Sequence, residues 1–199
     1  LVLALILSHP APATADNTRQ IRFATFNIAM GLDQQGKLHQ RLQSGDDGGL
    51  RKVAAIIQKI RPDVLLLNEF DSDPDYNQGA LFVDNYLRLS QFGQEPISYV
   101  NVMSGSVNTG VDSGFDLNNN GILAEPEDAW GYGHFPFQYG MLVLTHLPSK
   151  SSREFKNFKW NDMPASLEPL HTDGEPWYPA EIRQQLRLSS RSHWDFELI

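Results

Sequence analysis

Asn27 and Glu69 have the strongest potential for chemistry in this sequence, because each ends an apolar run. The runs, residues 21–27 and 64–69, predict buried strands, and a helix-like segment lies between them. A strand–helix–strand unit brings the ends of both strands to one edge of a sheet, where open α/β sheets bind ligands. We therefore expect the carboxamide and the carboxylate side by side, as a hard divalent cation and a phosphate oxygen require. Taken singly, Asn27 is better interpreted as a loop cap and Glu69 as a solvated carboxylate.

A second candidate metal site is the loop at residues 116–127, Asp-Leu-Asn-Asn-Asn-Gly-Ile-Leu-Ala-Glu-Pro-Glu. It matches every fixed position of the calcium-loop pattern D-x-[DN]-x-[DN]-G-x5-E. The pattern assigns oxygen ligands to Asp116, Asn118, Asn120, the carbonyl of Ile122, and Glu127. Pro126 and the Gly-rich flanks do not resemble the helices of an EF-hand, so an Asn/Gly loop without calcium is the alternative. We expect a structural Ca²⁺ ion that ties down the loop.

His193 is the third candidate, in a polar stretch between two predicted strands. An imidazole can act as an acid or a base near neutral pH. A lone histidine is more often a surface residue or a hydrogen-bonded core residue, and that alternative stays open. The other histidines show no metal-ligand spacing.

The composition limits the classes of function. Of the 199 residues, 41% are hydrophobic and 20% are charged, as in one ordinary globular domain or most of a larger one. The absence of cysteine excludes disulfide bonds and thiolate metal sites. The net charge of −8 argues against a broad, nonspecific grip on nucleic acid, which uses Lys/Arg surfaces.

The N-terminus resembles the end of a secretory signal. Residues 1–7 are continuously apolar, and the following segment ends in Ala13-Thr14-Ala15. This pattern is typical of an h-region followed by a small-residue cleavage site. We therefore expect residues 1–15 to be a signal remnant and the protein to be secreted or periplasmic, with a short buried helix as the alternative.

The remaining pattern predicts a mixed α/β domain. Residues 50–60 have helical apolar spacing, with Asp46 or Asp47 as the cap and Pro62 beyond the end. A further helix is expected near 79–90, whereas 29–48 and 161–180 are expected to be loops. A Gly/Asn/Asp-rich insert occupies 104–139. Extended segments are expected at 21–28, 64–67, 97–103, 139–145, 153–160, 186–190 and 194–199.

Several short motifs, in this order and spacing, resemble the endonuclease/exonuclease/phosphatase superfamily. They are Thr25-Phe26-Asn27-Ile28, Arg61-Pro62-Asp63-Val64, Leu67-Asn68-Glu69-Phe70 and Tyr139-Gly140-Met141-Leu142-Val143-Leu144. Further stretches are similar to a secreted bacterial branch: Gly114-Phe115-Asp116 to Trp130-Gly131, Asp162-Met163-Pro164, Leu188-Ser189-Ser190 and Ser192-His193-Trp194-Asp195. The resemblance runs from about residue 21 to residue 199. It implies a DNase-I-like, four-layered α/β sandwich and phosphoester hydrolysis with Mg²⁺ (or Mn²⁺).

The resemblance also implies roles for individual residues. Glu69 matches the metal-binding glutamate, Asn27 matches the asparagine that organises the metal and the phosphate, and His193 lies near a catalytic histidine. Phe137 and Ala165 stand where the family has glycine. The Gly-Asp-x-Asn and Ser-Asp-His motifs of the family's second half do not occur here. We therefore expect residues 16–199 to be the N-terminal portion of one domain, a partial sandwich.

Three functions remain open at this stage. The first is a metal-dependent phosphodiesterase or nuclease-like hydrolase, active when the chain is complete and inactive as these 199 residues alone. The second is a non-catalytic secreted calcium-binding protein, and the third is a pseudoenzyme of the same fold. Nucleic acid, nucleotides, and lipid or inositol phosphates all remain possible substrates. We expect a monomer at full length, without an obligate protein partner.

Overall fold

The structure, a computed structural model, describes residues 19–199. The predicted signal remnant, residues 1–15, lies outside the described residues. Within them, no helix is long and apolar enough to cross a membrane. The strands are β1 (Phe23–Met30), β2 (Val64–Phe70), β3 (Asn101–Met103), β4 (Met141–Thr145), β5 (Ser149–Glu154) and β6 (Trp194–Leu198). The α-helices are α1 (Lys37–Ser44), α2 (Gly48–Ile60), α3 (Gln78–Phe82) and α4 (Ala180–Arg183), and a π-helical turn, Val83–Leu87, continues α3.

The first four strands form one sheet in the order β1-β2-β4-β3. β1 and β2 are parallel, whereas β4 is antiparallel to both of its neighbours. Because α1 and α2 connect the parallel pair, the predicted strand–helix–strand unit is confirmed. Along this pair Phe23 lies opposite Val64, and Asn27 lies opposite Asn68.

Helix α2 covers one face of this sheet and follows its predicted pattern closely. The carboxylate of Asp47 caps the helix by accepting a hydrogen bond from the backbone N–H of Leu50 at 2.9 Å. Its apolar residues at helical spacing are buried together with Leu65 and Leu67 of β2. Burying each such aliphatic side chain contributes about 1.5–3 kcal/mol. This layer of apolar contacts therefore holds β1 and β2 in place at the edge that carries Asn27 and Glu69.

Three local predictions were wrong. Residues 153–160 were expected to be extended, but β5 ends at Glu154, and a 3-10 turn begins at Trp160. Residues 29–48 were expected to form a loop, but they contain α1, whose Leu38 and Leu42 are buried at i and i+4. With two apolar residues in eight, this helix is too short for its periodicity to be visible in the sequence. Residues 186–190 were expected to form a strand, but they have only an isolated bridge between Lys159 and Arg187. The predicted insert at 104–139 has one 3-10 turn, Pro126–Asp128, and isolated bridges.

The second sheet is the antiparallel pair β5–β6. It lies on the face opposite α2, because α2 packs with Leu65 and Leu67 whereas β6 lies near Leu66, which points to the other face. Trp194 and Phe196 of β6 share an apolar gap of about 370 Å³ with Leu66 and Val143 of the first sheet. The described chain therefore has helices on one face of a four-stranded sheet and a smaller sheet on the other. This arrangement confirms the mixed α/β class and agrees with a DNase-I-like fold.

Phe137 and Ala165, the two positions where the family resemblance suggests glycine, both have a backbone conformation that favours glycine. Phe137 has a φ of 70° and Ala165 has a φ of 55°, both in the left-handed region. This conformation is disfavoured for a residue with a Cβ atom, and glycine adopts it readily. The glycine expected from the family resemblance at these positions thus has a physical reason in the backbone.

Candidate functional site

A bulge at the ends of β1 and β2 turns Glu69 out of the core. The register changes from Asn27 opposite Asn68 to Met30 opposite Phe70, so β1 carries one extra residue. Within the bulge, Ala29 (φ 51°) and Glu69 (φ 56°) are both left-handed. The alternation of side chains breaks at this point, because Phe70 is fully buried while Glu69 keeps about 30% of its side chain exposed. A carboxylate on the core face would instead carry a large desolvation cost.

Glu69 lines an open cleft of about 250 Å³. The other lining residues are Thr109, Tyr132, Tyr139, Ser190 and Arg191. The cleft therefore combines a carboxylate, a guanidinium, two hydroxyls and two phenol rings. These residues come from β2, the insert and the segment before β6, which are far apart in sequence.

Arg191 is a cleft residue that the sequence patterns missed. Its Nε donates a hydrogen bond to the carbonyl oxygen of Tyr139 at 2.8 Å. Its Nη2 lies 3.5 Å from Oε1 of Glu69, which is ion-pair distance. The one available indication was its place in the stretch that resembles the bacterial branch, just before Ser192-His193.

The insert fixes the backbone around Arg191. The backbone N–H of Asn108, a fully buried residue, donates to the carbonyl oxygen of Arg191 at 2.9 Å. The carboxamide of Asn108 donates to the carbonyl oxygen of Ser189 at 2.8 Å. A Cβ atom added to Gly131 would lie 2.1 Å from the carbonyl oxygen of Ser190, so glycine is required for this close approach. The insert thus builds one wall of the cleft.

Asp71 is a second residue that the sequence patterns missed. Its carboxylate is buried and accepts hydrogen bonds from the backbone N–H groups of Leu32, at 3.0 Å, and Tyr139, at 2.9 Å. Burial raises the pKa of Asp71 to about 6, against the opposing effect of the two hydrogen bonds. Asp71 therefore joins the loop after β1 to the segment before β4, directly behind the cleft.

Tyr139 has a raised pKa in this cleft. Burial is the largest cause, and the neighbouring Tyr132, Asp71 and Glu69 raise the pKa further.

Asn27 lies at the predicted edge, on the strand beside Glu69, but it does not line the cleft. The residue is exposed, and its Oδ1 accepts a hydrogen bond from the backbone N–H of Ala29 at 3.0 Å. Opposite it, Asn68 donates from its side chain to the hydroxyl of Thr25 at 3.0 Å. The strand register thus brings Asn27 next to the residue that precedes Glu69.

His193 lies in a different place from the other two candidates. It is exposed and lines the apolar gap between the two sheets rather than the cleft beside Glu69. Its carbonyl oxygen accepts a hydrogen bond from the backbone N–H of Phe155 at 2.9 Å. The catalytic role of His193 therefore stays a prediction.

The side-chain oxygens of the predicted calcium loop point toward its own backbone. The carboxylate of Asp116 accepts from the N–H groups of Asn120 and Gly121 at 3.1 and 2.8 Å. Oδ1 of Asn118 accepts from the N–H of Asn120, and Oδ1 of Asn120 accepts from the N–H of Ile122. This is a tight turn stabilised by short polar side chains.

At the end of the calcium loop, the side chains are not arranged as the calcium-loop pattern predicts. Glu127, the predicted closing ligand, is exposed. Glu125 instead accepts a hydrogen bond from the side chain of Asn120 at 2.6 Å. Across residues 19–199, no group of three or more His, Cys, Asp or Glu side chains is arranged to hold a metal ion.

The comparison with protein families decides the identity of the chain. The model of the endonuclease/exonuclease/phosphatase family matches residues 24–196. The chain belongs to this family. Its members act on phosphoester substrates such as nucleic acids, and membership supports a phosphoester hydrolase or nuclease-like function in general. No curated protein and no solved structure gives a significant match.

Phosphoester hydrolysis commonly uses a divalent cation, and this cleft offers one carboxylate, Glu69, to hold it. Mg²⁺ is usually held by one or two carboxylates and keeps several waters and substrate oxygens. A partly exposed carboxylate, in a cleft that Thr109 and Ser190 also line, is compatible with such a sparse set of protein ligands. Glu69 is the residue that would hold the ion.

Proposed function

We propose that the protein is a metal-dependent phosphoester hydrolase whose site is centred on Glu69. The observation that carries the proposal is the left-handed turn at the end of β2, which places this carboxylate in a cleft opposite a guanidinium. Backbone strain of this kind is concentrated at functional sites. The family match agrees with this chemistry in general.

The site residues have separate roles in this proposal. Glu69 holds Mg²⁺ or Mn²⁺, which when bound supplies positive charge that polarises a phosphoryl oxygen. Asn27 on the adjacent strand orients a phosphate oxygen through its carboxamide. His193 is the predicted proton-transfer residue, although it faces the apolar gap.

We further propose that the loop at residues 116–127 binds a structural Ca²⁺ ion. The sequence pattern and the inward-turned oxygens of Asp116 and Asn118 support it. Glu127 is exposed and would have to turn toward the ion on binding. Export, proposed from residues 1–15, would expose the protein to the millimolar calcium that extracellular sites use.

The test of the hydrolase proposal is Glu69→Gln in the natural gene product. We expect hydrolysis of bis(p-nitrophenyl) phosphate in the presence of Mg²⁺ or Mn²⁺ to fall by roughly 100-fold or more, since the metal carboxylate is lost. The matched control is Glu95→Gln, an exposed glutamate outside the cleft, which should retain the wild-type rate. A wild-type rate in Glu69→Gln would refute the proposal. A wild-type protein that hydrolyses no phosphoester, with metal or without, would favour the calcium-binding or pseudoenzyme alternative.

A further inference from the structure

Arg191 is held in place by its own segment and by residues before β4. Its backbone N–H donates to the hydroxyl of Ser189 at 3.2 Å, and its Nε donates to the carbonyl oxygen of Tyr139 at 2.8 Å. Tyr139 is itself left-handed, with a φ of 51°. A fixed guanidinium loses less conformational entropy on binding a ligand than a free one.

The distal edge of this guanidinium is available for a ligand. Arginine has five N–H donors, and the bond to Tyr139 uses only the one on Nε. Nη2 is 3.5 Å from Oε1 of Glu69, within ion-pair range but too long for a good hydrogen bond. Among the hydrogen bonds of residues 19–199, none has Nη1 or Nη2 of Arg191 as the donor. The two Nη groups form the edge that binds phosphate in a bidentate manner.

A metal ion and Arg191 would compete for the same carboxylate. Glu69 carries one negative charge, and two cations within a few ångströms of it repel each other. When a metal ion takes Glu69, the guanidinium loses part of its counter-charge while its Nε stays bonded to Tyr139. A phosphate oxygen next to Arg191 would supply the negative charge that the guanidinium has lost.

We propose that Arg191 is a phosphate-binding residue that pairs with Glu69 in the metal-free protein and with a substrate phosphate once the metal is bound. This inference rests on the proposed hydrolase function. In this proposal Nη1 and Nη2 of Arg191 bind two oxygens of one phosphate group. The ion pair also explains how a partly exposed carboxylate and a guanidinium are kept together before either ligand arrives.

The first test measures metal binding alone, by isothermal titration of the protein with Mn²⁺. Arg191→Gln removes the competing cation, so we expect its affinity for Mn²⁺ to rise by roughly three- to tenfold. Arg88→Gln is the matched control, because Arg88 is exposed and also pairs with a carboxylate, Asp84, away from the cleft. The control should bind Mn²⁺ as the wild type does.

The second test measures inorganic phosphate binding to the Mn²⁺-saturated protein. Arg191→Gln should weaken phosphate binding by roughly tenfold or more, since a charge-assisted bidentate contact is lost. Arg191→Lys keeps the charge without the planar fork and should give an intermediate affinity. With a phosphodiester substrate, KM should rise by about the same factor as the loss of phosphate binding, while kcat changes less.

The outcomes separate this inference from the proposed function. If Glu69→Gln still binds Mn²⁺ like the wild type, the metal site is wrong and the hydrolase proposal fails with it. If Glu69→Gln loses Mn²⁺ but Arg191→Gln matches the wild type in both titrations, only the role of Arg191 is refuted. Should Arg191→Gln fail to fold, Arg191→Lys decides, and wild-type phosphate affinity in that variant overturns the bidentate contact.

Discussion

The buried carboxylate of Asp71 accepts a hydrogen bond from the backbone N–H of Tyr139 at 2.9 Å. The carbonyl oxygen of the same Tyr139 accepts the Nε hydrogen bond of Arg191. Tyr139 thus connects Asp71, which lies two positions after Glu69, with the guanidinium of Arg191, which faces Glu69. The cleft is therefore supported from behind by polar contacts in addition to apolar packing.

The first prediction concerns Asp71 and pH. The folded-state pKa of Asp71, about 6, exceeds the ordinary aspartate value of 3.8, so the folded protein binds a proton at this group more tightly than the unfolded chain does. Its contribution to the free energy of unfolding is therefore complete below pH 3.8 and is lost as the pH rises through 6. The size is at most about 3 kcal/mol.

Asp71→Asn should remove this pH-dependent decrease, because an amide does not titrate. Urea unfolding of the wild type and Asp71→Asn, between about pH 4 and pH 7, measures how the difference between their free energies of unfolding changes with pH. Asp75→Asn is the control, since Asp75 is exposed. A constant difference between Asp71→Asn and the wild type across this range would contradict the prediction.

The second prediction concerns Asn27. Asn27→Asp keeps an oxygen that can accept from Ala29, so the turn and the fold should be preserved. The new negative charge opposes the phosphate, and the N–H₂ donor is lost. We expect kcat/KM for a phosphodiester to fall by roughly 10- to 100-fold.

Steady-state kinetics with Mg²⁺ measure this change, and Asn157→Asp, at an exposed position, provides the charge-matched control. Unchanged kinetics in Asn27→Asp, with activity intact in the control, would remove Asn27 from the site.

The third prediction is a stabilising substitution. Ala165 is exposed and left-handed, so Ala165→Gly relieves backbone strain without loss of packing. The relief exceeds the extra entropy of glycine in the unfolded chain, and we expect a gain of about 0.5–1 kcal/mol in the free energy of unfolding. Ala180→Gly, at the first residue of α4, should destabilise the protein instead. Equal effects of the two substitutions on the urea midpoint would be inconsistent with strain at Ala165.

The fourth prediction tests the calcium loop. If Ca²⁺ binds the folded loop at residues 116–127, a saturating concentration should stabilise the protein, by about 2.7 kcal/mol at 100 times Kd. Thermal unfolding in chelator and in millimolar Ca²⁺ measures the shift, with Mg²⁺ as the ion control. Asp116→Ala should abolish the shift, whereas Asp46→Ala, at an exposed position, should keep it. The same midpoint with chelator and with Ca²⁺ would show that the loop closes without the ion.

Much of the fold around the site follows from local sequence. The strands that carry Asn27 and Glu69 are continuous apolar runs, and α2 has both a regular apolar face and an Asp47 cap. Such patterns are local, since strand or helix periodicity needs only a few neighbouring residues. Helix α1 was not predicted, because it is stabilised by the contacts of its two buried leucines with the rest of the core.

The sequence by itself determined that each strand of a parallel pair carries an oxygen-bearing side chain near its C-terminal end, and that these strands belong to an α/β domain. The tertiary structure alone decided that Arg191 faces Glu69, that Asp71 is buried behind them, and that His193 lies in the apolar gap. The physical reason is that these three positions depend on packing between segments distant in sequence. A charged residue in a polar stretch has the same local pattern whether it faces solvent or a carboxylate, and only the folded chain distinguishes the two.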